Sequence, residues 1–160
     1  MTEDTRTCRV CSEVKPLTIA YFQKNKAENW FYLTCKACDA QQRRERYNSD
    51  PAWRALQVMY SMETKISRAY PAAWSGSVAR AGAEKLLAVT RCAYCETPND
   101  GVQSFCLDHH MPLALGGQHS LDNLWPCCEP CNRAKHDMPP HAFKAWMDAL
   151  VFRLAWLKAQ

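Results

Sequence analysis

The chain has 160 residues, ten of which are cysteines, and a formal net charge of +4. This length accommodates one ordinary domain or two small ones, and no apolar run is long enough to span a membrane. The first residues contain no apolar core of the signal-peptide kind, so a secreted disulfide scaffold is disfavoured and we expect a protein of the reducing cytoplasm.

Residues 1–48 contain two Cys-x-x-Cys pairs that predict a small metal-stabilised module. The pairs are Cys8/Cys11 and Cys35/Cys38, and the short apolar runs between them are typical of a β-hairpin. Two such pairs can place four sulfur atoms around a tetrahedral zinc ion, and a segment this short could not bury enough surface without that ion. We therefore predict a zinc-ribbon-like module with one structural Zn²⁺.

A basic helix is predicted directly after the second Cys-x-x-Cys pair, within this module. Its arginines are candidates for contacting the phosphates of a nucleic acid, and a solvated helix face is the equally weighted alternative. Zinc-bound cysteines are thiolates, so two four-cysteine sites would bring the formal charge near zero, and nucleic-acid binding would need a local basic patch. The arginines are Arg43, Arg44 and Arg46.

Residues 49–90 are predicted to be a helical linker region. The sequence Asn-Ser-Asp-Pro at residues 48–51 is a helix start, with a capping side chain followed by proline at the first helical position. This helix should run to about Arg68, and a second helix is predicted over residues 78–87. The stripe on the first helix is expected to be core rather than a set of ligands. It contains Trp53, Leu56, Met59 or Tyr60, Glu63 and Ile66.

Residues 91–138 carry the most informative pattern in the chain. Two further Cys-x-x-Cys pairs bracket a block of polar residues, and they predict a second closed Zn²⁺ site that ties the strand entering the block to the helix leaving it. These four ligands are Cys92, Cys95, Cys128 and Cys131. The two remaining cysteines, Cys106 and Cys127, are predicted to be small buried residues rather than ligands.

The block contains the side chains that phosphodiester hydrolysis needs. Such a reaction requires a positioned water, a base to deprotonate it, and positive charge on the phosphate and on the leaving oxygen. The alternation over residues 102–108 predicts a strand that ends at Asp108, whose carboxylate suits Mg²⁺ or Mn²⁺. The next residue, His109, can be neutral and basic at physiological pH. Asn132 lies on the first turns of the following helix, and His136 occupies the i+4 position on the same face.

The last segment, residues 139–160, is predicted to be a single helix. Packing of its broad apolar stripe within the monomer is favoured over pairing with another copy, because small domains need all their apolar surface buried. The stripe consists of Phe143, Trp146, Met147, Leu150, Val151, Leu154 and Leu157.

Taken in order, the motifs resemble those of the HNH endonuclease family. The resemblance rests on the Cys-x-x-Cys at Cys92, on Asp108-His109-His110, on Asp122-Asn123, and on the Cys-x-x-Cys-Asn that ends at Asn132. It implies a ββα-metal core, in which a β-hairpin and a helix surround a catalytic metal ion. The first module is similar to zinc ribbons that precede such nucleases in phages and bacteria. The expected fold class is therefore small, zinc-stabilised α+β, with a zinc-ribbon-like module, a helical middle segment, the HNH core and a C-terminal helix.

The resemblance also implies a role for each polar residue of the block. Asp108 and the side-chain carbonyl of Asn132 would bind one Mg²⁺ or Mn²⁺ ion, with His136 as a candidate third ligand. His109 would be the general base. Asn123 would hydrogen-bond the backbone so that the base keeps its orientation.

Several neighbouring residues have two interpretations. His110 is the alternative base, although the register of the hairpin favours His109, and it could instead be a partly exposed residue that touches DNA. Arg133 and Lys135 are expected to contact phosphates, because the helix that carries the metal ligand should face the nucleic-acid backbone. The alternative is that these two residues only solubilise the helix. Two further histidines are expected at the surface: His119 and His141.

The sequence therefore predicts a metal-dependent HNH endonuclease that hydrolyses the phosphodiester bonds of DNA, with double-stranded DNA favoured. One such site cuts one strand, so a monomer should nick and a homodimer would be needed to cut both strands. Whether the protein also binds a phage or host protein partner is left open by the sequence. The alternatives are a non-catalytic zinc-dependent DNA-binding protein, a nuclease that resolves branched DNA, and a nuclease that cleaves RNA. The expected location is the bacterial cytoplasm, for a cellular or phage-encoded protein.

Overall fold

The computed structural model describes residues 4–101 and 104–158, and these fall into two compact units. The first unit is Met1–Arg54 and the second is Ala55–Gln160. Both units contain helices together with short antiparallel strands, so the α+β class expected from the sequence is confirmed. Among the described residues, no helix is both long enough and apolar enough to cross a membrane.

The first unit consists of two β-hairpins followed by a helix. Strands β1 (Thr5–Thr7) and β2 (Val14–Pro16) form one antiparallel pair, and β3 (Phe22–Asn25) and β4 (Trp30–Cys35) form the other. Helix α1 (Lys36–Ser49) starts where β4 ends. The chain between the two Cys-x-x-Cys pairs therefore does form a hairpin, as its apolar runs indicate.

The core of the first unit is small and rich in sulfur. Phe22 is fully buried and packs with Cys8 and Cys35, whose exposed fractions are only 1% and 2%. A unit of this size buries too little apolar surface to be stable through packing alone. The first unit therefore needs a further source of stability, which a metal ion held by the cysteines at its centre would supply.

Helix α2 (Pro51–Ala69) begins at a defined cap. Asp50 Oδ1 accepts a hydrogen bond of 2.9 Å from the backbone N–H of Trp53, and Pro51 occupies the first helical position. The helix start predicted at residues 48–51 is thus confirmed. Its buried face, with residues spaced three or four apart, consists of Ala55, Met59, Glu63 and Ile66.

Helix α3 (Ala79–Leu87) packs closely against α2. A Cβ atom added to Gly82 would lie 2.3 Å from Cε of Met59, so any side chain there would have to displace the end of that methionine. The helical middle segment contributes most of the hydrophobic core that it shares with the following hairpin. That core consists of Ala55, Met59, Ala79, Ala83, Leu107 and Leu124.

The second half of this unit is a β-hairpin followed by a short helix. Strand β5 (Phe105–His109) pairs antiparallel with β6 (Leu124–Cys128), and helix α4 (Glu129–Lys135) follows β6 directly. The strand predicted over residues 102–108 is present from Phe105 onward. Its first two residues, 102 and 103, lie outside the described residues.

Two adjacent glycines shape the loop between β5 and β6. Gly116 has a φ of 88°, in the left-handed region that side chains disfavour. A Cβ atom at Gly117 would lie 2.1 Å from the carbonyl oxygen of Met111, because the loop backbone folds back on itself there. These residues allow a tight path that no other amino acid would permit without strain.

Helix α5 (Pro140–Lys158) packs mainly through its first turns. Phe143 is buried, whereas Phe152 and Trp156 are 75% and 57% exposed. The expectation that the whole apolar stripe packs within the monomer is therefore wrong for the second half of the helix. The physical reason is that no other element in the described part of the chain covers residues 150–157.

Candidate active site

Four cysteines of the first unit form a cluster that could hold a metal ion. Their sulfur atoms all lie within 4.8 Å of one another, close enough to bind a single ion. The backbone N–H of Cys35 donates to Sγ of Cys8 at 3.3 Å, and this donor is foremost among several that lower the pKa of Cys8 to about 6. A lowered thiol pKa favours the thiolate form that binds metal. The cluster consists of Cys8, Cys11, Cys35 and Cys38.

A second cluster of four cysteines joins the start of the hairpin region to α4. Its sulfur atoms also lie within 4.8 Å of one another, and Sγ of Cys95 and Sγ of Cys128 are 3.8 Å apart. Tetrahedral Zn–S bonds of about 2.3 Å place two sulfurs about 3.8 Å apart, so this spacing fits zinc. Cys128 is also the N-cap residue of α4, so an ion bound here would fix where that helix begins. The cluster consists of Cys92, Cys95, Cys128 and Cys131.

The remaining two cysteines, Cys106 and Cys127, lie outside both clusters. They face each other across β5 and β6, with their sulfur atoms 3.8 Å apart. Cys127 is fully buried and Cys106 is half-buried. Both therefore pack in the hairpin, as small apolar residues do.

Asp108 lies near the end of β5, where a half-buried tyrosine and a buried lysine hold its carboxylate. Oδ2 accepts a hydrogen bond of 2.7 Å from the Tyr94 hydroxyl and lies 2.8 Å from Nζ of Lys135. Burial, followed by the hydrogen bond to Asp108, raises the pKa of Tyr94, so the phenol keeps its proton and acts only as a donor toward the carboxylate. The position of this carboxylate is fixed by the surrounding protein.

Lys135 is fully buried, which corrects the expectation that it contacts phosphate. Its ammonium group donates to the backbone oxygen of His109 at 2.9 Å and is paired with Asp108. A buried charge is tolerated only when it is paired and hydrogen-bonded, and here both requirements are met within the protein. Lys135 therefore connects α4 to the end of β5 and has no surface to offer a nucleic acid.

Asn132 lies on α4 one turn before Lys135, on the side that faces β5. The pKa of the neighbouring Cys106 thiol is lowered mainly by the Cys127 thiol and to a smaller extent by the Asn132 side chain, which places Asn132 close to Cys106. Cys106 and Asp108 are two residues apart on one strand, so they share a face of the hairpin. The structure thus brings Asn132 to the same face as Asp108, and the two side chains together offer the carboxylate and carbonyl oxygens that Mg²⁺ or Mn²⁺ prefers.

His109, the last residue of β5, contacts a different part of the molecule. Its Nε2 atom lies 3.0 Å from Nδ1 of His119. Burial, followed by the proximity of His119, lowers the pKa of His109 to about 4. The imidazole is therefore neutral at neutral pH, as a general base must be.

His119 is fully buried, which corrects the expectation that it is a surface residue. Its Nε2 atom lies 3.4 Å from Oε1 of Glu63, and Glu63 is itself only 5% exposed. The Glu63 carboxylate also accepts hydrogen bonds from the Val78 backbone N–H at 2.7 Å and from the Ser77 hydroxyl at 2.8 Å. His141, the other histidine expected at the surface, is exposed.

Sequence reasoning did not assign Glu63 or His119 to the site, although the sequence contains a signal for Glu63. A carboxylate within the apolar stripe of an amphipathic helix must find a buried partner or cost several kcal/mol. A partner is therefore expected for Glu63. That this partner is His119, 56 residues later in the sequence, follows only from the fold.

Asn123 holds the loop between β5 and β6 in place. Its Oδ1 atom accepts from the Met111 backbone N–H at 2.8 Å. Its Nδ2 atom donates to the backbone oxygens of Met111 at 2.9 Å and Gln118 at 2.8 Å. In addition, the backbone N–H of His110 donates to the Asn123 backbone oxygen at 2.8 Å. One side chain thus connects the loop segment directly after His109 to the segment that carries His119.

His110 stacks on an aromatic ring instead of joining the His109 contacts. Its ring centroid lies 3.7 Å from that of Trp125 with an interplanar angle of 10°. Burial lowers its pKa, with the charge of Lys135 contributing. Within the described residues its Nδ1 atom is buried without a hydrogen-bond partner.

His136 does not lie on the helix face that its spacing from Asn132 indicates. Helix α4 ends at Lys135, and the His136 N–H still donates to the Asn132 oxygen at 3.0 Å. The φ of His136 is 46°, however, so its side chain does not continue the face of the helix. Its side chain is 80% exposed and lies 3.1 Å from Asp137. We therefore do not retain it as a metal ligand.

The arginines expected to contact nucleic acid are all exposed. Arg43 pairs with Asp39 at 3.0 Å, and Arg46 lies 3.4 Å from Asp50. Surface pairs of this kind contribute little to stability, so these guanidinium groups can exchange partners at little cost. The exposed set is Arg43, Arg44, Arg46 and Arg133.

A hairpin, a helix and a four-cysteine cluster arranged around Asp108, His109 and Asn132 define a protein of the ββα-metal class. Residues 92–138 match the sequence model of the HNH endonuclease family. The chain is also similar to a CRISPR-associated endonuclease Cas9 from Actinomyces naeslundii, with 35% identity over 105 residues. The similarity covers 64% of the chain but only 8% of that relative. The resemblance to HNH endonucleases inferred from the motifs is thus confirmed.

Proposed function

We propose that this protein is a metal-dependent endonuclease that hydrolyses phosphodiester bonds of DNA, with His109 as its general base. The observation that carries the proposal is the arrangement of Asp108 and His109 at the end of β5, in a segment of the HNH family. Adjacent strand residues point to opposite faces. Accordingly, Asp108 contacts α4 through Lys135, whereas His109 contacts the loop through His119.

His109 supplies the proton acceptor. Because its pKa is lowered to about 4, its ring is unprotonated at neutral pH and can take a proton from a water molecule. In-line attack by that water on the scissile phosphate would leave a 5′-phosphate and a 3′-hydroxyl. Asn123 supports this step indirectly, since it fixes the loop on which the contacts of His109 depend.

Asp108 and the side-chain oxygen of Asn132 would hold one Mg²⁺ or Mn²⁺ ion, because both are hard oxygen ligands. A divalent cation at this position supplies positive charge to the scissile phosphate and the leaving 3′-oxygen. Lys135 adds a fixed positive charge beside the same carboxylate. The two cysteine clusters would each hold a structural Zn²⁺, whose role is to keep this arrangement folded.

DNA is the substrate that we propose, and the named function of the Cas9 relative, an endonuclease, supports nuclease chemistry in this segment. One site cuts one strand, so a monomer should nick duplex DNA. The exposed arginines Arg43, Arg44, Arg46 and Arg133 are the candidate phosphate contacts.

A supercoiled-plasmid assay tests the proposal. The protein is incubated with Mg²⁺, Mn²⁺ or a chelator, beside the His109→Ala variant and the matched control His141→Ala, which removes an exposed histidine. We expect metal-dependent nicked circles, a loss on the order of 10²- to 10⁴-fold for His109→Ala, and no loss for the control.

Two results would contradict the proposal. Undiminished cleavage by His109→Ala in a metal-pure preparation would exclude His109 as the base. Absence of cleavage with every metal, while the protein still shifts DNA in a gel, would favour a non-catalytic DNA-binding protein.

Parallel reactions on branched DNA and on RNA would reveal a different preferred substrate. Direct appearance of linear product would indicate a dimer.

A further inference from the structure

We propose that Glu63 and His119 are positioning residues that fix the tautomer of His109. In this arrangement His109 carries its proton on Nε2 and presents an unprotonated Nδ1. The three side chains form one continuous chain in which Glu63 and His119 are buried and His109 is half-buried. His109 Nε2 lies 3.0 Å from His119 Nδ1, and His119 Nε2 lies 3.4 Å from Glu63 Oε1.

The direction of this hydrogen-bonded chain is set at Glu63. The Val78 backbone N–H donates to Oε1 and the Ser77 hydroxyl donates to Oε2. Ser77 Oγ also accepts from the Ala79 N–H at 3.4 Å, which directs the hydroxyl proton toward the carboxylate. The Glu63 side chain therefore extends from α2 to the N-terminus of α3, where donors converge and negative charge is favoured. An ionised carboxylate can only accept hydrogen bonds.

The donor and acceptor nitrogens of the two histidines follow from the chemistry of a neutral imidazole, which has one donor and one acceptor nitrogen. Because Glu63 accepts, His119 must donate from Nε2. The Nδ1 atom of His119 is then an acceptor, so His109 must donate to it from its own Nε2. The lone pair of His109 is left on Nδ1, and no other tautomer of His109 satisfies the chain while His119 is neutral.

His119 is held rigidly enough to enforce this arrangement. Its ring stacks on Trp74, with centroids 5.3 Å apart and an interplanar angle of 9°. Its backbone N–H donates to the oxygen of Ala73 at 2.9 Å, and its backbone oxygen accepts from the Ser75 hydroxyl at 3.3 Å. These contacts all come from the connection between α2 and α3. The helical middle segment thus acts on the base through His119.

The inference identifies Nδ1 as the nitrogen that takes the proton, and in this respect it rests on the proposed function. The tautomer itself does not depend on that function. A histidine held in the wrong tautomer presents a donor where the water proton must be accepted, and loss of such positioning groups typically costs about 10- to 100-fold in activity.

Long-range proton–nitrogen NMR correlations of the imidazole rings test the tautomer directly in the full-length protein. His109→Ala identifies the His109 signals by their loss. At neutral pH we expect the wild-type protein to carry its proton on Nε2 of both His109 and His119. A wild-type His109 protonated on Nδ1 would overturn the inference without any further variant.

Two substitutions separate positioning from packing. His119→Phe keeps an aromatic ring against Trp74 but removes Nδ1, the atom that accepts the hydrogen bond from His109. In His119→Asn, the side-chain oxygen of the new asparagine can accept that hydrogen bond in place of Nδ1. We expect His119→Phe to populate both tautomers of His109 and to lose about 10- to 100-fold in kcat at unchanged KM. His119→Asn should retain the Nε2 proton and most of kcat.

The outcomes of the two proposals can be told apart. If His119→Phe leaves both the tautomer of His109 and kcat unchanged, the positioning role is wrong. If no nuclease activity exists but the His109 tautomer still depends on His119, the positioning role stands and the proposed function fails. Should His119→Phe not fold, the wild-type spectrum and His119→Asn decide the question.

Discussion

The hydroxyl of Tyr94 donates a hydrogen bond of 2.7 Å to Oδ2 of Asp108. Tyr94 lies inside the Cys92-x-x-Cys95 pair, and its backbone N–H donates to Sγ of Cys92 at 3.4 Å. A single residue therefore connects the second cysteine cluster with the candidate metal ligand. The cluster does more than stabilise the unit, because it determines where the Asp108 carboxylate lies.

Tyr94→Phe should weaken binding of the catalytic cation. The substitution retains the ring, which packs edge-on against Phe143 with centroids 5.2 Å apart, and removes only the donor to Asp108. Loss of a group that orients a metal ligand typically costs about 10- to 100-fold in metal affinity or activity. The dissociation constant for Mn²⁺, measured by electron paramagnetic resonance, should rise within this range.

The matched control is Tyr60→Phe, which removes the hydroxyl of an exposed tyrosine on α2 in the same unit. Zinc content should stay the same in both variants. Equal Mn²⁺ affinity in the wild-type protein and Tyr94→Phe would show that the hydrogen bond does not position the carboxylate for a cation.

Lys135→Met should destabilise the protein strongly. The ammonium group is fully buried, and its removal leaves the Asp108 carboxylate, 2.8 Å away, without its positive partner. Breaking a buried ion pair from one side typically costs about 3 to 5 kcal/mol. Urea denaturation at saturating zinc should show a lower free energy of unfolding in this range.

Arg133→Met is the control for Lys135→Met, since Arg133 lies on the same helix but is 79% exposed in its side chain. Surface substitutions of this kind change stability by less than about 0.5 kcal/mol. If both variants were equally stable, the pairing of Lys135 with Asp108 would contribute nothing to folding.

The features that could be predicted from the sequence are those defined by short spacings. A Cys-x-x-Cys pair specifies its geometry locally, so two pairs in each unit were enough to predict both clusters. The helix start at Asp50 and Pro51 depends on adjacent residues in the same way. Alternation also predicts the strand that carries Asp108, although the strand extends one residue beyond the predicted end, to His109.

The contacts between His109, His119 and Glu63 could not be predicted, because they join three separate elements. Nothing in the local sequence around His119 distinguishes a surface loop histidine from one enclosed by Trp74 and Glu63. Lys135 presents the same difficulty. Charge alone predicts an exposed residue, and only the packing of α4 against β5 shows that its partner is Asp108.

Zinc stoichiometry should follow the two clusters. Wild-type protein is expected to contain two zinc ions per chain, one for each cluster. Cys128→Ser should retain one ion and lose the fold of the second unit, because Cys128 is both a member of its cluster and the N-cap of α4. Elemental analysis and thermal melting measure the two effects.

Cys106→Ser is the control for Cys128→Ser, because Cys106 lies on the same hairpin but outside both clusters. It should keep both ions. A normal melting curve for Cys128→Ser, or loss of an ion from Cys106→Ser, would contradict the assignment of the second cluster as a structural zinc site.

Gly117→Ala should destabilise the protein more than Gly116→Ala. At Gly117 the new Cβ would meet the Met111 carbonyl oxygen at 2.1 Å, and backbone cannot move aside as a flexible side chain can. At Gly116 the space is open, so the cost is the left-handed backbone alone, at about 1 to 2 kcal/mol. Overpacking against backbone costs about 1 to 3 kcal/mol in addition to any shift of the loop. Because Asn123 joins Met111 to Gln118, that shift would move the loop that carries His119.

Thermal melts should therefore give a lower melting temperature for Gly117→Ala than for Gly116→Ala, and plasmid nicking should fall further for Gly117→Ala. Equal melting temperatures for the two variants would show that the loop can relax around the added methyl group.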